Sequence, residues 1–144
     1  MISLAFRVTA LAFAGGLLVD FGSKVWAVSQ DSGVVYHDVP SRLALRLGAC
    51  LLTLAFAAAL SVYAVKVGLG APFGLWIGCG LAVAGIVANG VSSMLWAGGV
   101  PDFIPAGGGW VWNVADFEIV LGMTGGLISL GLAAVVAYVR TASS

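Results

Sequence analysis

The sequence predicts an all-α integral membrane protein with four transmembrane helices and a short surface element of loop and strand. Hydrophobic residues make up 61% of the 144 residues and charged residues only 8%, so most of the chain has too little polar surface to face water. The apolar residues form four runs, each long enough for a helix that crosses a bilayer. No internal repeat or linker divides the chain, which predicts a single transmembrane domain over residues 1–144.

Charge and cysteine content argue against several classes of function. The formal net charge is zero and the chain has no basic cluster, which argues against nucleic acid as a partner. One histidine and two cysteines within apolar runs form no metal-ligand pattern. We therefore expect no metal site.

The first predicted span covers residues 4–28. A charged pair, Asp20 and Lys24, occupies the region where a signal peptide would be cleaved, so we interpret this run as a retained helix. The two residues are four apart and lie on one helix face, where they can form an ion pair. On spacing alone, such a pair is more often an interfacial group that fixes the depth of the helix.

The connection after the first span is polar and contains the one histidine of the chain. Val34, Val35 and Tyr36 favour a short strand on the membrane surface. No nucleophilic serine or cysteine motif accompanies His37. The favoured interpretation of His37 is therefore a solvated loop residue.

The other three predicted spans cover residues 43–65, 72–96 and 113–138. The second span is apolar on all sides, as expected of a helix in lipid. Gly70, Gly74 and Gly78 recur at four-residue intervals, and Gly122 and Gly126 form a second such strip. Strips of small residues let helices approach closely, so these glycines predict tight helix packing.

Four spans place both termini on the same side of the membrane. Arginine and lysine divide equally between the two faces, so the positive-inside rule does not choose the orientation. All six acids fall toward the face opposite the termini. Four tryptophans gather there as an interfacial belt would: Trp26, Trp96, Trp110 and Trp112. We expect the chemistry of the protein at that surface.

Two aspartates near the third connection are the candidates for this chemistry. Asp102 lies in a glycine- and proline-rich loop, and Asp116 lies about one turn into the fourth span. Ionisable groups at the edge of apolar segments are functional candidates. Two adjacent carboxylates cannot both ionise, so one holds a proton while the other acts as a base. Such a pair can hydrolyse a peptide bond, although on spacing alone two membrane-edge carboxylates are more often solvated.

Two asparagines are placed to orient these carboxylates. Asn113 is a candidate N-cap of the fourth helix and shares a helix face with Asp116. Asn89 lies inside the apolar third span, where an unpaired amide is costly, so it should have a polar partner.

Four short motifs follow one another along the chain: Asp-x-x-x-Lys at Asp20 and Lys24, Gly-Ile-Val-Ala-Asn at 85–89, Val-Pro-Asp-Phe-Ile at 100–104, and Asn-Val-Ala-Asp at 113–116. Through these motifs the chain resembles the lipoprotein signal peptidases (signal peptidase II), a family of four-helix membrane aspartic proteases. The resemblance covers most of the chain in helix number, order and length. The last two motifs are the most specific because their order, spacing and placement all agree.

The resemblance implies a site and a reaction. It assigns two roles: Asp102 and Asp116 as the catalytic dyad, and Asn89, Asn113, Asp20 and Lys24 as supporting or substrate-binding groups. The implied reaction removes the signal peptide from a diacylglyceryl-modified prolipoprotein and uses no metal or organic cofactor. The implied partners are that precursor and membrane lipids. The implied location is the bacterial cytoplasmic (inner) membrane, with both termini cytoplasmic and the surface element extracytoplasmic.

The sequence departs from that family in two places. Ser92 and Ser93 stand where the family has Asp-Arg, so a fixed positive donor is missing, and serine cannot replace its charge. The family's Asn-x-Gly-Ala-Ala-Phe element between the first two spans is also absent. Asp38, His37 or Arg42 could fill part of its role.

Two functions therefore remain open at this stage. The first is an active aspartic endopeptidase of the signal peptidase II type. The second is a catalytically inactive paralogue that serves as a small structural subunit of a larger membrane complex, which the glycine strips and short loops also fit. A channel or transporter is a more distant alternative, because no half-helix pair or polar pore face is visible.

Overall fold

The computed structural model describes residues 2–30, 33–37, 43–69 and 73–142. Within these ranges the helices are α1 (Ile2–Gln30), α2 (Leu43–Lys66), α3 (Phe73–Leu95) and α4 (Val114–Ala142). The short strands are β1 (Val35–His37), β2 (Val100–Asp102), β3 (Ile104–Gly107) and β4 (Trp110–Trp112). All four helices are long and apolar enough to cross a membrane. The predicted fold class is confirmed, and the chain is a multi-pass membrane protein.

The helix bounds differ from the predicted spans mainly at α1 and α4. The apolar pattern ends near residues 28 and 138, whereas helical hydrogen bonding continues to Gln30 and Ala142. A helix satisfies its own backbone whether its side chains are apolar or polar, so hydropathy underestimates its length. Some residues used in the sequence argument lie outside the described ranges: Asp31, Asp38, Arg42 and Gly70.

Helix α3 is the centre of the bundle. It contacts each of the other three helices. In its apolar window 56% of residues are buried, against 17% or less in the corresponding windows of the other helices. The large apolar side chains of α1, α2 and α4 point mostly outward. This arrangement suits a bundle whose outer surface is covered by lipid tails and not by water.

The α3–α4 contact depends on glycine, as the small-residue strips predicted. A methyl group on Gly78 would overlap the backbone oxygen of Gly122, and one on Gly74 would overlap the side chain of Ser129. Nearer the other end of α3, a methyl group on Gly85 would overlap the backbone oxygen of Ala115. The two helices therefore touch backbone to backbone along several turns, which fixes where α4 begins relative to α3.

The Gly78→Ala variant is expected to lose about 1–3 kcal/mol of unfolding free energy, because the added methyl forces α3 and α4 apart. The matched control is Gly131→Ala. Gly131 lies exposed on α4 with nothing within 4 Å of the position of a Cβ, so this variant should be neutral or more stable by up to about 1 kcal/mol. Unfolding in mixed micelles with increasing SDS measures both. Equal stability of the two variants would contradict this packing.

The surface element consists of two small antiparallel sheets. Strand β1 pairs with β2, with Val35 opposite Asp102 and His37 opposite Val100. Strands β3 and β4 form a hairpin whose turn contains Gly107, Gly108 and Gly109, all at positive φ. This pairing attaches the α1–α2 connection to the chain that links α3 and α4.

The sheet confirms one expectation and corrects another. The strand expected at residues 34–36 is present as β1, one residue later. The loop expected around Asp102 is instead strand β2, which contains Pro101. Proline suppresses strand predictions because it lacks an N–H, but in a two-stranded sheet every strand is an edge and proline is tolerated there.

Candidate active site

Both predicted acids line one cavity at the end of the bundle, beneath the surface sheets. The cavity has a volume of about 470 Å³. Its polar lining comes from five elements and the residue before α4: His37, Arg46, Asn89, Asp102, Asn113 and Asp116. Its apolar wall includes Trp110 and Trp112 of β4 and Ile119 of α4. The fold thus brings Asp102 and Asp116 to a common space.

Asn113 connects the two acids. It immediately precedes α4, and its Oδ1 accepts a hydrogen bond from the backbone N–H of Asp116 at 3.3 Å. The Asp116 carboxylate accepts in return from the backbone N–H of Asn113 at 3.0 Å, which completes a reciprocal helix cap. The side-chain amide of Asn113 also donates to Asp102 Oδ1. The expected capping role is confirmed, and the cap also holds the second acid.

Asn89 has the polar partners that its place in an apolar helix required. Its Nδ2 donates to Asp116 Oδ1 at 3.0 Å, and its Oδ1 accepts from Lys24 Nζ at 2.8 Å. Lys24 Nζ also donates to Ser92 Oγ at 3.0 Å. Asn89 therefore carries the contact between a buried cation on α1 and one carboxylate of the cavity.

The ion pair expected between Asp20 and Lys24 is present, and it is buried within the bundle. Both residues have 0% exposure, and Lys24 Nζ lies 2.8 Å from Asp20 Oδ2. Asp20 Oδ1 accepts from the backbone N–H of Ala115 at 2.9 Å, at the first turn of α4 where a negative charge is favourable. Neither residue lines the cavity. Their contacts are those of supporting groups that hold α1, α3 and α4 together behind the dyad.

His37 is the residue that sequence reasoning missed. It lies on strand β1, not in a loop, and its Nδ1 lies 2.5 Å from Asp102 Oδ2, although the side chain is solvated as expected. The His37 side chain is half exposed, at 51%, whereas that of Asp102 is 9% exposed. The contact arises because β1 pairs with β2, which no local pattern near His37 indicates.

Arg46 is a second residue of the cavity that the sequence did not single out. It lies on α2, one turn from the start of the helix. A Cβ on Gly90 would lie 3.3 Å from Arg46 Cδ, so the arginine stem runs close over α3 at this glycine. A cation therefore lines the cavity together with the two acids.

The pKa of Asp102 is raised above its ordinary value of 3.8. Burial is the main cause, and the negative charge of Asp116 adds to it. The hydrogen bonds from Asn113 and His37 and the charge of His37 oppose the shift without cancelling it. Asp102 is thus disposed to hold a proton more tightly than a solvated aspartate.

Within the described ranges, no group of three or more His, Cys, Asp or Glu side chains is placed to hold a metal ion.

The raised pKa of Asp102 predicts a pH-dependent gain in stability for Asp102→Asn. Between pH 3.8 and the raised value, the folded protein binds more protons at Asp102 than the unfolded chain, so its stability falls as pH rises. The asparagine variant lacks this fall. Its melting temperature relative to wild type should therefore be more favourable at about pH 7 than at about pH 4. A difference that stays constant with pH, or reverses, would contradict the shift.

Comparison of the sequence with protein-family models and with curated proteins finds no match. The resemblance to the lipoprotein signal peptidases therefore rests on the motif residues.

Proposed function

We propose that this protein is an intramembrane aspartic endopeptidase that acts in the manner of a lipoprotein signal peptidase. In this proposal it removes the signal peptide from diacylglyceryl-modified prolipoproteins. The observation that carries the proposal is the shared cavity of Asp102 and Asp116, whose carboxylates both bond to Asn113. Two acids that share a cavity and a hydrogen-bonding partner suit peptide hydrolysis by water, which needs one group to act as a base and another as an acid.

The chemistry follows from the unequal protonation of the two acids. The ionised carboxylate accepts a proton from a water molecule as the water oxygen attacks the scissile carbonyl carbon. The protonated carboxyl donates its proton to the carbonyl oxygen, which avoids a buried oxyanion. When the C–N bond breaks, the leaving nitrogen takes the proton that came from water.

The depth of the dyad supports a substrate that lies in the bilayer. Asp102 follows the end of α3 by a few residues, and Asp116 lies in the first turn of α4, so both acids are at the same end of the bundle. A signal-peptide cleavage site also lies at the end of an apolar helix. Trp110, with 70% of its surface exposed at the cavity rim, suits the membrane interface.

Arg46 bears on the missing arginine of the third helix. Where the related family has Asp-Arg, this chain has Ser92 and Ser93, and Ser92 accepts a hydrogen bond from Lys24. Arg46 of α2 nevertheless lines the cavity. The arginine that the family has on the third helix is absent here, but Arg46 supplies a cation to the cavity from α2. This cation favours an active enzyme over an inactive paralogue.

We further propose the bacterial cytoplasmic membrane as the location, with both termini cytoplasmic and the surface sheets on the outer side. The partners in this proposal are the lipid-modified precursor and membrane lipids. This orientation places the cavity on the side to which a signal peptide delivers its passenger.

A second function remains proposed, that of an inactive structural subunit in a larger membrane complex. One observation favours it. An apolar groove of about 190 Å³ runs between α2, α3 and α4 and is lined by residues such as Phe56, Leu75 and Met123. A neighbouring transmembrane helix is one way to cover such a groove.

The test is cleavage of a synthetic precursor by the purified protein in lipid nanodiscs. We expect release of the signal peptide from a precursor with a diacylglyceryl-modified cysteine, and no release from the same peptide with a free cysteine thiol. Intact modified precursor in the presence of well-folded protein would contradict the protease proposal. Stable co-purifying subunits in native mass spectrometry would then support the structural alternative.

A further inference from the structure

The amide orientations of Asn89 and Asn113 are fixed by groups that can only donate. Lys24 Nζ donates to Asn89 Oδ1 at 2.8 Å. The backbone N–H of Asp116 donates to Asn113 Oδ1 at 3.3 Å. An amide whose oxygen is held by a donor presents its nitrogen to its other neighbour. Both asparagines are therefore hydrogen-bond donors toward the acids.

Three of the four carboxylate oxygens of the dyad thus face partners that cannot accept a hydrogen bond. Asp116 Oδ1 accepts from Asn89 Nδ2 and Asp116 Oδ2 from the Asn113 backbone, each at 3.0 Å. Asp102 Oδ1 accepts from Asn113 Nδ2. Two donors on one carboxyl stabilise its ionised form, so the surroundings of Asp116 are those of a carboxylate.

The fourth oxygen, Asp102 Oδ2, has a partner of a different kind. It lies 2.5 Å from His37 Nδ1, and an imidazole nitrogen either donates or accepts depending on its protonation. Either the ring donates to an ionised Asp102, or a protonated Asp102 donates to the neutral ring. Among the four carboxylate oxygens, Asp102 Oδ2 is therefore the one that can share a proton with its partner, since both this oxygen and His37 Nδ1 can bind it.

We propose that His37 is a positioning residue that holds the shared proton of the dyad in its contact with Asp102, which leaves Asp116 as the ionised base. The assignment of acid and base rests on the proposed function, but the position of the proton can be measured without substrate.

The other charged groups around the contact agree with this division of roles. Arg46 from α2 and Asp116 from α4 line the same cavity as His37. Lys24 from α1 lies behind Asn89, one hydrogen-bonded group away from Asp116. The cation of α1 thus lies on the Asp116 side of the cavity, and His37 lies on the Asp102 side.

With these roles, each acid ends the hydrolysis in the protonation state in which it began. Asp116 takes a proton from water as the water oxygen bonds to the carbonyl carbon, and Asp102 gives the shared proton to the carbonyl oxygen. When the tetrahedral intermediate collapses, one of its hydroxyls returns a proton to Asp102. The C–N bond breaks, and the nitrogen takes its proton from Asp116. In the intermediate, the His37 ring remains beside the ionised Asp102, ready to share the proton again when a hydroxyl of the intermediate returns it.

The position of the proton can be read from the ring nitrogens, because His37 is the one histidine in the sequence. Histidine labelled with ¹⁵N gives signals from His37 alone, in nanodiscs and without substrate. We expect a wild-type Nδ1 whose ¹⁵N shift reports a proton shared with Asp102. That shift should change clearly in Asp102→Asn and stay nearly unchanged in Asp116→Asn. Ring signals that are the same in wild type and Asp102→Asn would overturn the proposal.

A kinetic comparison supplies the second readout. Asn in place of His37 keeps an amide nitrogen near the position of Nδ1 but cannot take up a proton, so His37→Asn should lower kcat about tenfold or more and alter the pH–rate profile, with a smaller effect on KM. The matched control is Tyr36→Phe, the neighbour of His37 on β1, which should keep the wild-type profile. An unchanged pH–rate profile in His37→Asn would overturn the proposal.

The two readouts separate this proposal from the proposed function. Wild-type protein that cleaves no precursor but shows the Asp102-dependent ring signals would contradict the protease proposal alone. If the wild-type protein cleaves the precursor but the His37 ring signals are the same in wild type and Asp102→Asn, only the role of His37 is contradicted.

Discussion

Replacement of Asp116 by asparagine is expected to lower the rate of precursor cleavage by about 10²- to 10⁴-fold, the range that a positioned acid or base contributes. Asparagine has nearly the same shape as aspartate but cannot accept a proton from water. Its amide nitrogen would also face one of two donors, Asn89 Nδ2 or the Asn113 backbone. Single-turnover cleavage of the lipid-modified precursor measures the loss, with circular dichroism to verify the fold.

Glu118→Gln is the matched control for this variant. Glu118 is a buried acid two residues further along α4, and it does not line the cavity. Its carboxylate approaches Gly16 of α1 instead. The control should therefore cleave within a few-fold of the wild-type rate. Cleavage by Asp116→Asn at the rate of Glu118→Gln would exclude Asp116 as a catalytic residue.

Replacement of Lys24 by methionine is expected to cost about 3–5 kcal/mol of unfolding free energy, the range measured when one member of a buried ion pair is removed. Methionine fills similar space but leaves the fully buried Asp20 without a cation. It also removes the donor to Asn89 Oδ1 and to Ser92 Oγ. Unfolding with increasing SDS in mixed micelles measures the difference.

Two variants complete the Lys24 experiment. Lys66→Met removes an exposed cation at the end of α2 and should change stability by no more than about 0.5 kcal/mol. The double variant Asp20→Leu with Lys24→Met removes both charges and should recover part of the loss. If Lys24→Met alone is as stable as Lys66→Met, the buried pair does not hold the three helices together.

The helices and their close packing could be predicted because both depend on local properties. A run of apolar residues is sufficient to predict a membrane span, and the four-residue recurrence of Gly74 and Gly78 is sufficient to predict a close approach. Asn89 was also predictable in part, since a buried amide needs a partner wherever that partner lies.

The contacts of the cavity could not be predicted because they join distant parts of the chain. His37 reaches Asp102 across 65 positions, and Lys24 reaches Asn89 across the same separation. The strand pairing that brings His37 to its partner includes Pro101, whose residue type argues against a strand. The full burial of Asp20 depends on where α4 begins, which the charge spacing within α1 does not encode.

The cap at Asn113 also links the start of α4 to the two acids. Its side chain caps α4 and bonds to Asp102, and its backbone N–H bonds to Asp116, so both contacts depend on the position of one residue. A newly synthesised copy whose final segment has not yet entered the membrane has Asp102 without its amide partner and Asp116 in an unformed turn. In the proposed enzyme, such a copy would lack the assembled pair of acids, and hydrolysis would begin only after α4 has inserted.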